Sequence, residues 1–283
     1  MREQSKGPTA SRTAAPNSHC RASMFRSLNV AATGMAAQET QLDTIANNLA
    51  NANTTGYKAQ RVEFEDMLYQ NVRSPGPNAA GNVSPTATQV GTGVRVVATA
   101  RTFSQGTLQQ TGNQLDLAIQ GQGFFPVTQV SGDVAYTRAG SLKLDAQGRL
   151  ATSDGLLIEP PITIPSTATS ITIAADGTVS VLQQGSTAAT SAGQIQLASF
   201  PNPNGLTSLG QNLFTPTSAS GEAKTGAPGS NGLGTVLQGS VEASNVDVVD
   251  EMVAMIRAQR SYEIDSKVIS AADEMLRNAT QNQ

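Results

Sequence analysis

The residues of this chain that could do chemistry are a scatter of carboxylates and two short glycine or lysine patterns. Asp116, Asp133, Asp145, Asp154, Glu159 and Asp176 could supply the two carboxylates that glycoside hydrolysis needs, one on each side of the scissile bond. Nothing in their spacing selects a pair, and most sit beside glycine or at strand ends, where turn formation accounts for them. Gly121-x-Gly123 opens like a dinucleotide fingerprint, but Pro126 occupies the position of the third glycine and no helical pattern follows. Lys224-Thr225 lacks the preceding glycines of a phosphate loop. The one histidine, His19, and the one cysteine, Cys20, both precede Met24. From Met24 onward the chain has no Ser-His-Asp or Cys-His nucleophile system, no zinc site of the usual His/Cys kind and no disulfide framework. We therefore expect no enzyme, no catalytic residues, no cofactor and no metal site.

Composition narrows the partners. Over 283 residues the aromatic content is 4%, tryptophan is absent, and there are 26 glycines and 13 prolines, so the packed core is expected to be modest. Charged residues make up 14% and the net charge is -3. The basic residues are scattered without aromatic interleaving, which argues against nucleic acid. No segment approaches the roughly 18 apolar residues of a membrane span, and residues 1–23 lack the apolar stretch of a signal peptide. That Arg, Ser, Thr, Pro and Ala rich stretch shows no period and reads as a disordered extension, with translation expected to start at Met24.

Chains without a catalytic set still have elements that must place something, and here those elements are the ends. Leu28, Met35, Leu42 and Leu49 recur every seven residues, with Ala31, Ile45 and Ala52 in a partial second column. At the other end Val248, Met255, Tyr262, Ile269 and Leu276 do the same, with Val249, Met252 and Ile256 beside the first turns. A seven-residue apolar period keeps one helix face apolar and calls for a partner helix, the seam supercoiling to absorb the mismatch with 3.6 residues per turn. The plainer alternative is two amphipathic helices folded back on their own domain. Residues 27–51 are mostly good helix formers and would span about 40 Å. Asn51, Asn53, Thr54, Thr55 and Gly56 then supply a turn before Tyr57 and Lys58. Ser244-x-x-Asp247 reads as a capping box that starts the last helix next to Asn245, and no Gly or Pro follows from 248 to 283.

Between the ends the period is two. Leu115, Leu117 and Ile119 alternate, as do Leu142 and Leu144, Ile162 and Ile164, Ile171 and Ile173, and Val179 and Val181. Asp145 to Gly148 and Ala175-Asp176-Gly177 are hairpin connections, and Gly121 and Gly123 mark a bulge or a close backbone approach. The segment between Arg73 and Gly93 is too rich in Pro and Gly for a helix or core strand, and is either a linker or an arm that orders against a neighbour. The fold class is α+β: long N- and C-terminal helices forming a coiled-coil layer, with a mainly antiparallel β domain inserted between them. The divisions are an extension at 1–23, a helix and turn at 24–58, an arm at 59–93, a β domain at 94–235 and a last helix at 236–283.

Ala46-Asn47-Asn48-Leu49-Ala50-Asn51-x-x-Thr54-Thr55-Gly56-Tyr57-Lys58 resembles the N-terminal signature of the bacterial flagellar rod and hook axial proteins. The likeness continues through Gly91-Thr92-Gly93-Val94, Gln105-Gly106-x-Leu108, Leu115-Asp116-Leu117-Ala118-Ile119 and Gly121-Gln122-Gly123-Phe124-Phe125. It also covers Tyr136-Thr137-Arg138-x-Gly140-Ser141, Ser244-Asn245-Val246-Asp247 and the helical run from Met252 to Glu263, nearly all of residues 24–283. Length and the Pro/Gly-rich segment resemble the distal-rod branch; the extension 1–23 departs from the family pattern.

The resemblance implies a structural subunit that stacks helically with copies of itself into a hollow shaft carrying torque from motor to hook. The terminal helices would form an inner coiled-coil layer and stay largely unfolded until stacking. It implies subunit contacts through Leu28, Met35, Leu42, Ile45, Asn47, Asn48, Leu49 and Asn51, and through Val248, Met252, Met255, Ile256, Tyr262, Ile269 and Leu276. Thr55, Gly56, Tyr57 and Lys58 would form a signature turn. Asn47, Asn48 and Asn51 either cap the helix end or bond across subunits. Implied partners are the proximal rod and hook proteins, the cell-wall and outer-membrane rings and the flagellar type III export apparatus; the rod would span the periplasm, its subunits exported without a cleaved signal peptide. A proximal rod or hook subunit, and a fibre or phage-tail protein, are the alternative readings.

Overall fold

The computed structural model describes residues 17–73, 76–77, 83–84, 86–185 and 188–281. The expected extension falls outside the described residues up to position 16, and 17–23 continue into the first helix. Two helices, α1 (Asn17–Ala50) and α2 (Val248–Gln281), flank a run of short strands that pair antiparallel among the described residues. The α+β class therefore holds. The chain divides into two compact units, one made of residues 1–41, 63–97 and 257–283, the other of 42–62 and 98–256.

The second unit carries the β structure. Its largest sheet has seven strands in the order Leu142–Leu144, Leu150–Thr152, Leu157–Ile158, Phe125–Thr128, Val134–Thr137, Leu213–Thr215 and Thr207–Gly210. A three-stranded sheet follows, Ala168–Ile173, Thr178–Gln183 and Thr190–Gln194. Two further pairs join the start of the β region to its end: Leu117–Gln120 with Thr235–Gln238, and Leu108–Gln110 with Ser240–Glu242. Both expected hairpins form. Asp145 accepts the Gly148 N–H at 2.8 Å through its backbone carbonyl, and Ala174 accepts that of Gly177 at 2.9 Å, each glycine having positive φ.

Leu117, Ile119, Phe125, Val127, Val179 and Ile195 anchor one apolar cluster, each 0% exposed. A second cluster gathers much of the chain's small aromatic content. Phe103, Phe124, Phe200, Phe214 and Tyr136 meet edge to face at centroid separations of 4.8 to 5.9 Å, a geometry that adds to the value of burial alone. Alternation fails in one informative place. Leu117, Ala118 and Ile119 are all buried, because this strand is covered on both faces and not on one.

The first unit is built differently. Its helical parts of α1 and α2 accompany the small strand pairs Gln70–Arg73 with Thr88–Val90 and Gly76–Pro77 with Val83–Ser84. Gly34 of α1 lies close to α2, where a Cβ on it would sit 3.2 Å from Asp265 Oδ2. Val30, Ala31, Val90, Val94 and Val268, with Arg26 and Asp265, line an open groove of 840 Å³ in this unit.

Candidate assembly interface

The signature turn is tied into the second unit by backbone and side-chain hydrogen bonds. Chain direction reverses after α1 through Asn51 and Thr54, with Gly56 at φ 71°. A side chain at that position is excluded twice over, since a Cβ would come 2.7 Å from the Ala139 nitrogen and the φ value disfavours L-residues. The Gly56 N–H donates to the Glu242 carbonyl at 2.8 Å, and the Asn212 amide donates to the Thr55 carbonyl at 3.0 Å.

Asn48, 2% exposed, ties three elements together with one amide. Its Nδ2 donates to the Gln60 carbonyl at 2.8 Å and to Glu251 Oε1 of α2 at 2.9 Å. Its Oδ1 accepts the Gln60 N–H at 2.9 Å and the Tyr57 hydroxyl at 3.2 Å. Asn47 is exposed but accepts the same hydroxyl at 2.8 Å, and Asn51 donates to the Asn47 carbonyl at 2.9 Å. Burial raises the Tyr57 pKa, keeping the phenol a neutral donor. Burial also raises Glu251, against the Asn48 hydrogen bond that favours its charged form.

Beneath the turn lies a charge cluster that nothing in the sequence spacing announces. Lys58 and Glu242 are 0% exposed and Arg138 is 4% exposed. Glu242 Oε1 accepts Lys58 Nζ at 2.7 Å and the Gly106 N–H at 2.9 Å, and its Oε2 accepts Arg138 Nε at 2.6 Å. Lys58 also donates to the Ser104 carbonyl at 2.7 Å, and Arg138 to the carbonyls of Gly123 at 2.7 Å and Gly121 at 2.6 Å. The expected close backbone approach is found at Gly121, where a Cβ would lie 3.0 Å from Gly234 Cα. Burial alone would raise the Glu242 pKa, but Arg138 and Lys58 outweigh it and hold the carboxyl below its ordinary value. Burial pulls Lys58 down; Glu242 counteracts it, and the Arg138 charge adds to the fall. One buried carboxylate thus serves two buried cations, an arrangement whose worth lies in the cost of removing a partner.

Beyond the turn, the two helices bury their stripes unequally. On α1, Ile45 is 5% exposed, Ala31 and Ala37 are buried, and Leu28, Met35, Leu42 and Leu49 are half-buried. On α2 the best-covered residues are Ala258 and Ala272, at 2% each, with Met255, Ile269 and Leu276 half-buried around them. Val248 and Tyr262, expected in the same stripe, are exposed. Val249, Val253, Ile256, Ile264, Val268 and Met275 are exposed by 41 to 69%, with Met252 at their edge. At 100° per residue those six fall within an arc of about 120°, with Ala258 on the far side of α2 and Ala272 next to the arc's edge at Val268. The alanine seam escaped a reading that counted large side chains, and Met252 and Ile256, expected beside the stripe, belong to the uncovered face. The start of α2 also differs from expectation. Asp247 is the cap, its Oδ1 accepting the Val249 N–H at 2.8 Å and that of Asp250 at 3.3 Å. Asn245 is engaged elsewhere, accepting the Ala59 N–H at 2.7 Å and donating to the Thr102 carbonyl at 2.7 Å.

Three of the carboxylates considered for catalysis, Asp116, Asp145 and Asp176, bond locally at turns. Thr111 and Asn113 donate to Asp116 at 2.6 and 3.0 Å, Arg149 pairs with Asp145 at 2.7 Å, and the Thr178 N–H meets Asp176 at 3.0 Å.

Known families match this layout element by element. Residues 28–58, on α1 and its turn, match the model described as flagella basal body rod protein. Residues 118–181 match the flagellar hook protein FlgE/F/G D1 domain, and residues 237–282 match the flagellar basal body rod FlgEFG protein C-terminal region. Together these are the parts of a flagellar rod or hook subunit. The flagellar basal-body rod protein FlgG of Caulobacter vibrioides is 50% identical over 259 residues, covering 91% of this chain and 99% of that protein. FlgG of Borreliella burgdorferi is 47% identical over 256 residues (89% and 97%), and FlgG of Bacillus subtilis 40% over 261 residues (89% and 97%). The chain belongs to the FlgG family of flagellar basal-body rod proteins. These relatives support the distal-rod reading over a proximal rod, hook or fibre subunit.

Proposed function

We propose that this chain is a structural subunit of the flagellar distal rod, which polymerises helically into a hollow shaft carrying torque from motor to hook. The observation that carries the polymer reading is that α2 has more apolar surface than the chain covers. Ala258 and Ala272 are buried within the chain, while Val249, Val253, Ile256, Ile264, Val268 and Met275 are left open to solvent. Apolar faces of this kind mark association surfaces, and a helix apolar on two sides suits a layer in which each helix touches its own partner and a neighbour's.

In this reading α2, with α1 from residue 24 onward, forms the inner coiled-coil layer, and 59–93 is an arm towards a neighbour. Residues 94–235 are the outer β domain, to which the strands Thr235–Gln238 and Ser240–Glu242 also belong although the last-helix segment is expected to begin at 236. The open groove around Val30, Val90 and Val94 offers a second apolar surface for a packed copy. Proximal rod and hook subunits would meet the two ends of the shaft, and ring proteins of the cell wall and outer membrane would surround it across the periplasm. Export through the flagellar type III channel would suit a chain whose folding requires no disulfide.

Electron microscopy of the full chain at rising concentration tests the proposal, beside the double variant Ile256→Asp, Ile264→Asp. Both positions are about half-exposed, so each substitution should change monomer stability by no more than about 0.5 kcal/mol. Straight hollow filaments are expected from the natural chain and none from the variant, with equal helical circular dichroism at low concentration. Discrete oligomers from both chains, or filaments from both, would overturn it.

A further inference from the structure

The buried charge cluster joins three stretches that are far apart in sequence, and its stoichiometry has a consequence for how the ends of the chain come together. Lys58 belongs to the signature turn, Arg138 to the segment after strand Val134–Thr137, and Glu242 to the last strand before α2. Arg138 is held by the β domain itself through the Gly121 and Gly123 carbonyls. Lys58 has one such contact, the Ser104 carbonyl. Without Glu242, seating the turn would bring a second cation into a buried site already occupied by the first, with no anion between them. Arginine cannot shed its proton, so Lys58 is the group that must give way, by losing its proton or by leaving the site, and either outcome loosens the hold on the turn.

From this geometry we infer that Glu242 makes the seating of the N-terminal turn conditional on the C-terminal strand, so that the turn docks on the β domain only once that strand is in place. Backbone contacts follow the same logic. The Glu242 carbonyl accepts the Gly56 N–H, and Asn245, three residues on, accepts the Ala59 N–H at 2.7 Å. A chain whose C-terminal strand is not in place therefore has a loose N-terminal helix root. A half-built subunit is thus kept from presenting its N-terminal helix rigidly before the C-terminal strand is seated. The inference concerns the isolated chain and stands apart from the rod reading, since it needs no polymer.

Hydrogen exchange of the full-length monomer tests it, in the natural chain and in Glu242→Gln, Lys58→Met and the double variant. Losing one partner of a buried ion pair is among the costlier substitutions. In Glu242→Gln, exchange across residues 54–60 should therefore quicken by roughly 100-fold, while the Leu142–Leu144 and Leu150–Thr152 hairpin keeps its protection. Lys58→Met alone should have the smaller effect, because Glu242 retains Arg138 and the Gly106 N–H. The decisive chain is the double variant, in which removal of the stranded cation should return exchange at 54–60 to within about tenfold of the natural protein. Double-variant exchange as fast as, or faster than, that of Glu242→Gln would mean additive packing losses and would overturn the inference, as would unchanged exchange in Glu242→Gln. Should Glu242→Gln fail to fold, recovery of folded protein on adding Lys58→Met supports the inference, and continued failure overturns it.

Discussion

Asn48 allows a sharp comparison, because its amide donates in one direction and accepts in the other. In Asn48→Leu the Gln60 N–H and carbonyl lose their partners at 2.9 and 2.8 Å. Each unmet group costs about 1–3 kcal/mol when buried. Gln60 is half-buried, so water recovers part of this, and Tyr57 keeps its 2.8 Å bond to Asn47. The expected loss is about 2–4 kcal/mol. In Asn48→Asp the acceptor side survives, but a carboxylate oxygen now faces the Gln60 carbonyl and Glu251 Oε1 at the 2.9 Å that Nδ2 once bridged. Two full charges at that separation repel by about 5–6 kcal/mol at an effective dielectric constant of 20. Rotation of Glu251 towards solvent relieves some of it, leaving about 3–5 kcal/mol at pH 7.

The sign of the pH response then separates the two variants. Repulsion raises the folded-state pKa of the new aspartate above its ordinary value of about 3.9, and burial already holds Glu251 above its own. The folded pair therefore binds protons more tightly than the unfolded chain, and Asn48→Asp regains stability as pH falls through the raised values. A protonated aspartate is also a donor, which restores the bond Asn48 made. Denaturant midpoints relative to the natural protein should thus place Asn48→Asp below Asn48→Leu at pH 7 and above it near pH 4. If the aspartate variant is the more stable at pH 7, or if the order fails to invert, Asn48 does not bridge the two helix roots as described.

Two further outcomes follow from the same joint. Gly56→Ala meets both the positive φ and the Ala139 backbone, and should lower stability by about 2–4 kcal/mol in urea denaturation. Glu242 has a folded pKa below its ordinary 4.5, so the stability it lends is present above about pH 4.5 and lost as pH falls through the folded value. The advantage of the natural chain over Glu242→Gln in thermal midpoint should therefore hold steady from pH 8 to about pH 5 and shrink at more acid pH.

What the sequence announced was what a short window can hold. Asp145 to Gly148 and Ala175 to Gly177 are hairpins because turn chemistry is local, and the two helices are legible because their residues repeat on one face. Misplacement of the α2 cap has a local cause too. Ser244 and Asp247 both have capping side chains, and only tertiary structure, by committing Asn245 to Ala59 and Thr102, decides that the helix starts after Asp247. The α2 stripe was found through its large residues, whereas coverage is deepest at Ala258 and Ala272, where small side chains permit close approach. The charge cluster lay beyond any window. No spacing relates positions 58, 138 and 242, and Glu242 sits beside Val241 in a strand where alternation gives it no special status. Lys58 and Arg138 stood out only as members of separate motifs, and Gly121 and Gly123 only as glycines whose freedom of φ lets two carbonyls face a single guanidinium.

Where the helices root, polarity runs opposite to the apolar clusters of the β domain, and the contrast has a physical rationale. The joint that roots both helices is buried and polar, built from Asn48, Tyr57, Lys58, Arg138, Glu242 and Asn245, while much of the outer face of α2 is exposed and apolar. Apolar contacts are non-directional and tolerate sliding. Buried hydrogen bonds carry a penalty for every unmet group and so permit few alternative geometries. A polar joint can therefore fix where each helix leaves the β domain without spending the apolar face that a neighbour would cover. Reversing the assignment, with an apolar joint and a polar outer face, would leave the helix roots free to shift and remove the surface on which copies of the chain could associate.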